Sequence, residues 1–174
     1  MLAYLFVALA VAVRFLPHPL SFTPVGAALL YFGARAPRKR MWIPLVLLAG
    51  SDVVLSRWVY GYPLAADLVF TWLWYAAIIL LGSLLQEHQR PLRLAGAALV
   101  TSVSFFLLSN FAVWAVWAMY PKTIAGLLAA YAAAVPFFRN TIASDLLFTA
   151  VFFGLPALAG ATVRAKAENR RAAA

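Results

Sequence analysis

The sequence predicts an all-α integral membrane protein, a bundle of six transmembrane helices with a short re-entrant or interfacial helix before the last span. Three observations predict it. Of the 174 residues, 66% are hydrophobic and only 11% charged, and the mean hydropathy is +0.90, far outside the range of soluble globular chains. Apolar runs recur along the whole length with breaks of a few residues, which leaves no room for a soluble domain or a long linker. The basic residues fall in short clusters at the ends of those runs, so the net charge of +9 is explained by membrane topology rather than by binding to nucleic acid. The expected organisation is one transmembrane domain over residues 1–163 and a basic cytoplasmic tail over residues 164–174.

The first span covers residues 2–16 and stops at "PHPLSFTP", whose three prolines cannot continue a helix. The N-terminus resembles a signal peptide in its "ALA" and "AVA" steps, but it has neither a basic leader nor a polar segment before the supposed cut. It reads as a retained span. The second, "VGAALLYFGA", is short and ends in the basic turn "RAPRKR". The third covers residues 41–54, carries Ser51 and Asp52 near its far end, and leads into a loop rich in Tyr and Trp, residues that favour the membrane interface. The fourth covers residues 68–85 and the fifth residues 92–119, with "QEHQRPLR" between them and His88 expected in an exposed loop.

After "YPKT" either one or two spans fit, and the distribution of Lys and Arg decides. With only the last segment crossing, Arg35, Arg38, Lys39, Arg40, Arg90, Arg93, Arg164, Lys166, Arg170 and Arg171 share one side, against Arg14, Arg57, Lys122 and Arg139 on the other. A second span there would divide the charges evenly. Residues 123–138 are therefore expected as the re-entrant or half-buried helix, and both termini as cytoplasmic.

This topology gives each polar residue a depth. Arg14, His18, Asp52, Asn110, Arg139, Asn140 and Asp145 all fall towards the outer side, whereas the inner halves of the spans are almost entirely apolar. A charge near the bilayer centre costs about 2.5–3.5 kcal/mol on insertion scales, so such groups face a partner or a water-filled cavity. Two readings follow. The residues are structural ion pairs and anchors, with Arg14 and Arg139 as partners for Asp52 and Asp145. Alternatively they line an outward-facing pocket for a small polar or amphipathic solute, rimmed by Trp58, Tyr60, Tyr62, Trp117 and Tyr120. Trp114 and Trp117 lie three apart on one helical face, with Asn110 one turn before Trp114; that face can line a pocket or pack another helix. Ala8 and Ala12 form a small-xxx-small pair that allows another helix to approach closely.

Catalytic signatures are absent: there is no HExxH, no GxSxG and no Walker loop. No cofactor, metal site or enzymatic activity is expected, and with no cysteine in the chain thiolate metal ligation is excluded. Without an ATP site, any transport would draw on an ion gradient or another subunit.

"RFLPHPLSFTPVGAALLYFGA", the "SD" of the third span, "SNFAVW", and "YPKTIAGLLAAYAAAVPFFRNTIASDLLFTAVFFG" resemble a widespread bacterial family of uncharacterised membrane proteins, a domain-of-unknown-function family, over nearly the whole chain. That family is similar in size and span number to the substrate-binding S components of energy-coupling-factor (ECF) transporters. The resemblance implies a transport subunit of the bacterial cytoplasmic membrane that captures a vitamin-like solute from outside. It further implies a T subunit and ATPases as partners, with Ala8 and Ala12 as the docking pair. A structural or assembly subunit of a larger membrane complex and a lipid-modifying enzyme are the alternatives.

Overall fold

In a computed structural model, residues 1–87 and 89–172 are described, with side chains for residues 1–87, 89–162 and 169. His88 and the side chains of Arg164, Lys166, Arg170 and Arg171 lie outside the described residues, so the readings made of the loop histidine and the basic tail gain nothing from the structure.

Among the described residues there are six α-helices and no strand: α1 (Leu2–Val13), α2 (Val25–Arg35), α3 (Trp42–Val54), α4 (Asp67–Ser83), α5 (Pro91–Val116) and α6 (Ile124–Ala172). The prolines set many of the boundaries. Pro91 opens α5 at its first position, where its missing N–H costs nothing, and Arg90 before it is extended with ψ at 141°. Ala36, which precedes Pro37, is extended with ψ at 150° and ends α2. Pro44 sits in the first turn of α3, where proline is tolerated. A 3₁₀ turn at Arg38–Arg40 and a π turn at Leu55–Val59 lengthen α3 at either end.

Two expectations are corrected. The sequence predicts six spans, but among the described residues three helical stretches are long and apolar enough to cross a membrane: Arg38–Val59, Pro91–Val116 and Ile124–Thr162. At 1.5 Å per residue a 30 Å hydrocarbon core needs about 20 residues. Helices α1, α2 and α4 have 12, 11 and 17 residues. The second correction concerns residues 123–138, which do not form a separate re-entrant helix. They are the first part of α6, which runs through both Pro136 and Pro156. Proline inside a helix costs about 3 kcal/mol, and packing against α5 over the adjoining length opposes it. The Tyr131 hydroxyl donates to the Leu107 carbonyl at 2.9 Å. Phe106 packs against Tyr131 and Phe138 at 5.6 and 4.5 Å between ring centroids. Breaking the helix there would also expose backbone groups in an apolar setting.

Successive helices alternate in direction, as the paired residues show. Tyr4 near the start of α1 meets Phe32 near the end of α2, Asp52 near the end of α3 meets Trp72 near the start of α4, and Ser102 and Leu107 on α5 meet Asp145 and Tyr131 on α6 in reverse order. The bundle therefore has an Arg14 end, where α1, α3 and α5 finish, and an Arg40 end, where they begin. α2 is its axis: all ten residues from Val25 to Ala34 are buried, enclosed by α1, α4, α5 and α6. Glycine makes the tightest of these contacts possible. A Cβ on Gly33 would run into the Ile79 carbonyl, and one on Gly82 into the Leu30 carbonyl, so α2 and α4 touch backbone to backbone. Aromatic rings fill the rest of this half: Phe6 stacks on Phe152 at 3.9 Å, and Tyr31 meets Phe153 edge-on at 5.0 Å. Most of the buried polar side chains collect towards the other end.

Candidate functional site

Asp52 is brought in by the last turns of α3, one turn from the helix's end, and is only 4% exposed. Its carboxylate is fully engaged. Arg14, the residue capping α1, pairs with Oδ1. The Tyr75 hydroxyl donates to the same oxygen at 3.2 Å, and Trp72 Nε1 donates to Oδ2 at 3.0 Å. Arg14 is held in turn by Ser51, whose hydroxyl oxygen accepts from Nη1 at 2.6 Å while donating to the Leu48 carbonyl at 2.7 Å. Three elements, α1, α3 and α4, are thereby joined through one carboxylate. An ion pair in a low-dielectric setting is favourable only when its remaining lone pairs are satisfied as well, and here they are.

Asp145 lies in the middle of α6 and is just as deeply placed, at 3% exposure, with a much smaller set of partners. Ser102 on α5 donates to its Oδ2 at 2.7 Å. Its Oδ1 lies against Gly26 in the first turn of α2, where a Cβ would collide with both that oxygen and the Thr101 methyl. Glycine at position 26 is what gives the carboxylate room. Among the described residues no cation pairs with it, and the expected partner Arg139 is exposed on α6 without an ion pair or hydrogen bond.

Between these two carboxylates the Arg14 end of the bundle contains a cavity of about 330 Å³. Arg14, His18, Thr71, Thr141 and Asp145 supply its polar wall, and Tyr60, Trp74, Tyr75 and Phe105 its aromatic one. Asp52 is not on its surface; it stands behind Arg14 and Tyr75. The loop between α1 and α2 contributes His18, Ser21 and Thr23 and is fastened to α6. Asn140 Nδ2 donates to the Leu20 carbonyl at 3.0 Å, and the Ser144 hydroxyl to the Thr23 carbonyl at 2.5 Å. Ser21 takes a positive φ of 60° within this loop, a conformation uncommon outside glycine. His18 Nδ1 donates to the Leu16 carbonyl at 2.7 Å, which fixes the proton on that nitrogen.

The structure thus gathers Arg14, His18 and Asp145 around one cavity, sets Asp52 directly behind it, and uses Asn140 to hold its loop. Other expected site residues lie elsewhere. Asn110 lines a second cavity of about 260 Å³, with its side chain turned back to the Phe106 carbonyl at 2.8 Å. Ser21, Phe105 and Thr141 are shared walls of the two cavities. Trp114 and Trp117 close the end of α5. Lys122 binds the carbonyls of both, at 2.7 Å for Trp117, and Trp114 Nε1 donates to the Pro121 carbonyl at 2.8 Å; a cation on the last carbonyls of a helix is a capping arrangement. Of the expected aromatic rim, only Tyr60 reaches the first cavity. Trp58 and Tyr62 are 72% and 61% exposed. Ala8 and Ala12 lie on an exposed face of α1 together with Leu5 and Leu9.

Sequence reasoning missed Trp74, Tyr75, Ser102 and Gly26. The available signal was periodicity: Thr71, Trp74 and Tyr75 follow the i, i+3, i+4 rule on α4, so one polar-edged stripe of that helix was readable.

The fold and site together define a class: an all-helical protein with helices able to cross a membrane and a polar, aromatic-walled cavity at one end of the bundle. Within that class the chain belongs to the Family of unknown function (DUF6580), which matches residues 1–168. No curated protein and no solved structure matches the chain.

Proposed function

We propose that this protein is a solute-capturing transport subunit of a bacterial cytoplasmic membrane, similar in role to the S components of ECF transporters, with both termini cytoplasmic and the Arg14 end facing out. In this reading the shorter helices α1, α2 and α4 complete a six-helix membrane bundle, their ends lying in the interfacial regions. The solute enters from the outer side and sits between the α1–α2 loop, α4, α5 and α6. The observation that carries the reading is the 330 Å³ cavity, in which charged and hydroxyl groups face an aromatic wall. Concave sites with a few convergent polar groups in an apolar lining are what small-molecule binding requires. A purely structural subunit has no use for such a cavity, and filling it would stabilise the fold. The exposed α1 face carrying Ala8 and Ala12 is where a T subunit would dock, and coupled ATPases would supply the energy.

The test is native mass spectrometry of the protein purified in mild detergent from its own host, compared with a Thr71→Trp variant that fills the cavity. A small-molecule adduct present in the wild type and lost in the folded variant is the expected result. A wild type that is empty and instead brings down other membrane subunits counts against capture and for an assembly role.

A further inference from the structure

The cavity contains one acidic and one strongly basic side chain, and the two are not equivalent. Arg14 is used up: one of its terminal nitrogens is held by Ser51 and the Leu48 carbonyl, the other by Asp52. Asp145 has a single hydroxyl donor, from Ser102, and no cationic partner among the described residues. The other positive element beside it is the first turn of α2 at Gly26. A helix N-terminus carries about half an elementary charge, so a full counter-charge is still missing. A carboxylate taken out of water is normally paired, because leaving it alone is costly.

The aromatic wall points the same way. Tyr60, Trp74, Tyr75 and Phe105 line the cavity, and the faces of aromatic rings attract cations through their quadrupole. We propose, building on the capture reading, that the solute is a small organic cation whose ammonium or similar positive group pairs with Asp145 while its apolar body packs against these four rings. Gly26 belongs to the same device, since any side chain there would take the space of the carboxylate. The Arg14–Asp52 pair then serves as a neutral, rigid wall rather than as a second charge for the ligand.

Three probes of one shape and different charge separate this from its rivals: benzylamine, benzyl alcohol and benzoate, titrated calorimetrically into the detergent-purified full chain. Benzylamine is expected to bind about tenfold or more tightly than the alcohol, with benzoate weakest. Asp145→Asn, nearly identical in shape, is expected to bring benzylamine down to the level of the alcohol while leaving the alcohol unchanged. Equal or tighter binding of the alcohol or of benzoate by the wild type overturns the charge assignment but leaves solute capture standing, because the cavity would still be occupied. Benzylamine binding that survives Asp145→Asn also overturns it. Absence of binding by all three overturns it too, and the capture reading then stands or falls separately on the mass-spectrometric adduct. The wild-type comparison decides by itself if the variant does not fold.

Discussion

Asp52 and Asp145 are equally buried, belong to helices that meet at the same end of the bundle, and are treated in opposite ways. Asp52 has an arginine, a tyrosine hydroxyl and an indole N–H on its two oxygens. Asp145 has one serine hydroxyl, with its second oxygen against a glycine. A fully coordinated carboxylate is a structural element: removing any partner leaves a charge or a dipole unsatisfied. An incompletely coordinated one keeps capacity for something that is not part of the chain. What separates an ion pair that builds the fold from a carboxylate available to a ligand is therefore the completeness of the partner set, not burial.

The largest effect that could break this contrast is expected at the structural site. Arg14→Ala leaves Asp52 buried without its counter-charge, and should lower unfolding stability in detergent by about 3 kcal/mol. The double variant Arg14→Met with Asp52→Leu is expected to recover most of that loss. An Arg14→Ala protein as stable as the wild type would mean that the cage does not hold α1 to α3. Next in size is the paired comparison of isosteric changes. Asp52→Asn should cost roughly 2 kcal/mol through its mismatched donors, whereas Asp145→Asn should be neutral or stabilising, because it leaves no cation without its partner. Equal losses at the two positions would erase the distinction. Smaller still, Tyr75→Phe removes one donor from Asp52 and should cost about 1 kcal/mol. Arg139→Ala, which removes an exposed side chain from the same helix as Asp145, should stay within about 0.5 kcal/mol.

How much of this could be read beforehand varies with the kind of residue. The six helices were legible because apolar runs and prolines mark them, and Pro91, Pro37 and the prolines after Leu16 coincide with real boundaries. Their extents were not. The distribution of Lys and Arg set residues 123–138 apart from the last span, yet the neighbouring helix α5 continues alongside and rewards an unbroken α6. At the site, Arg14 and Asp52 were legible as partners because charges inside apolar runs require an explanation. The pairing of Arg139 with Asp145 failed because both belong to α6, where a separation of six residues sets them about 9 Å apart along the axis and about 120° apart around it. Depth read without azimuth also missed that Asn110 lines the neighbouring cavity. Tyr75, Trp72 and Ser102 escaped because, inside an apolar helix, such side chains pass for ordinary packing until a carboxylate is seen opposite them.

The enclosure of α2 has a consequence for biogenesis. A segment of 11 residues with no face left for lipid gains little from entering a bilayer alone, and in two-stage assembly only segments stable by themselves are laid down first. The stretches Arg38–Val59, Pro91–Val116 and Ile124–Thr162 meet that condition. The axis of the finished molecule would then be among the last parts to settle, drawn in when Gly33 and Gly82 let α2 seat against α4. Since Gly26 arrives with it, the pocket around Asp145 would take shape only at that final step, so that incompletely assembled chains would lack it.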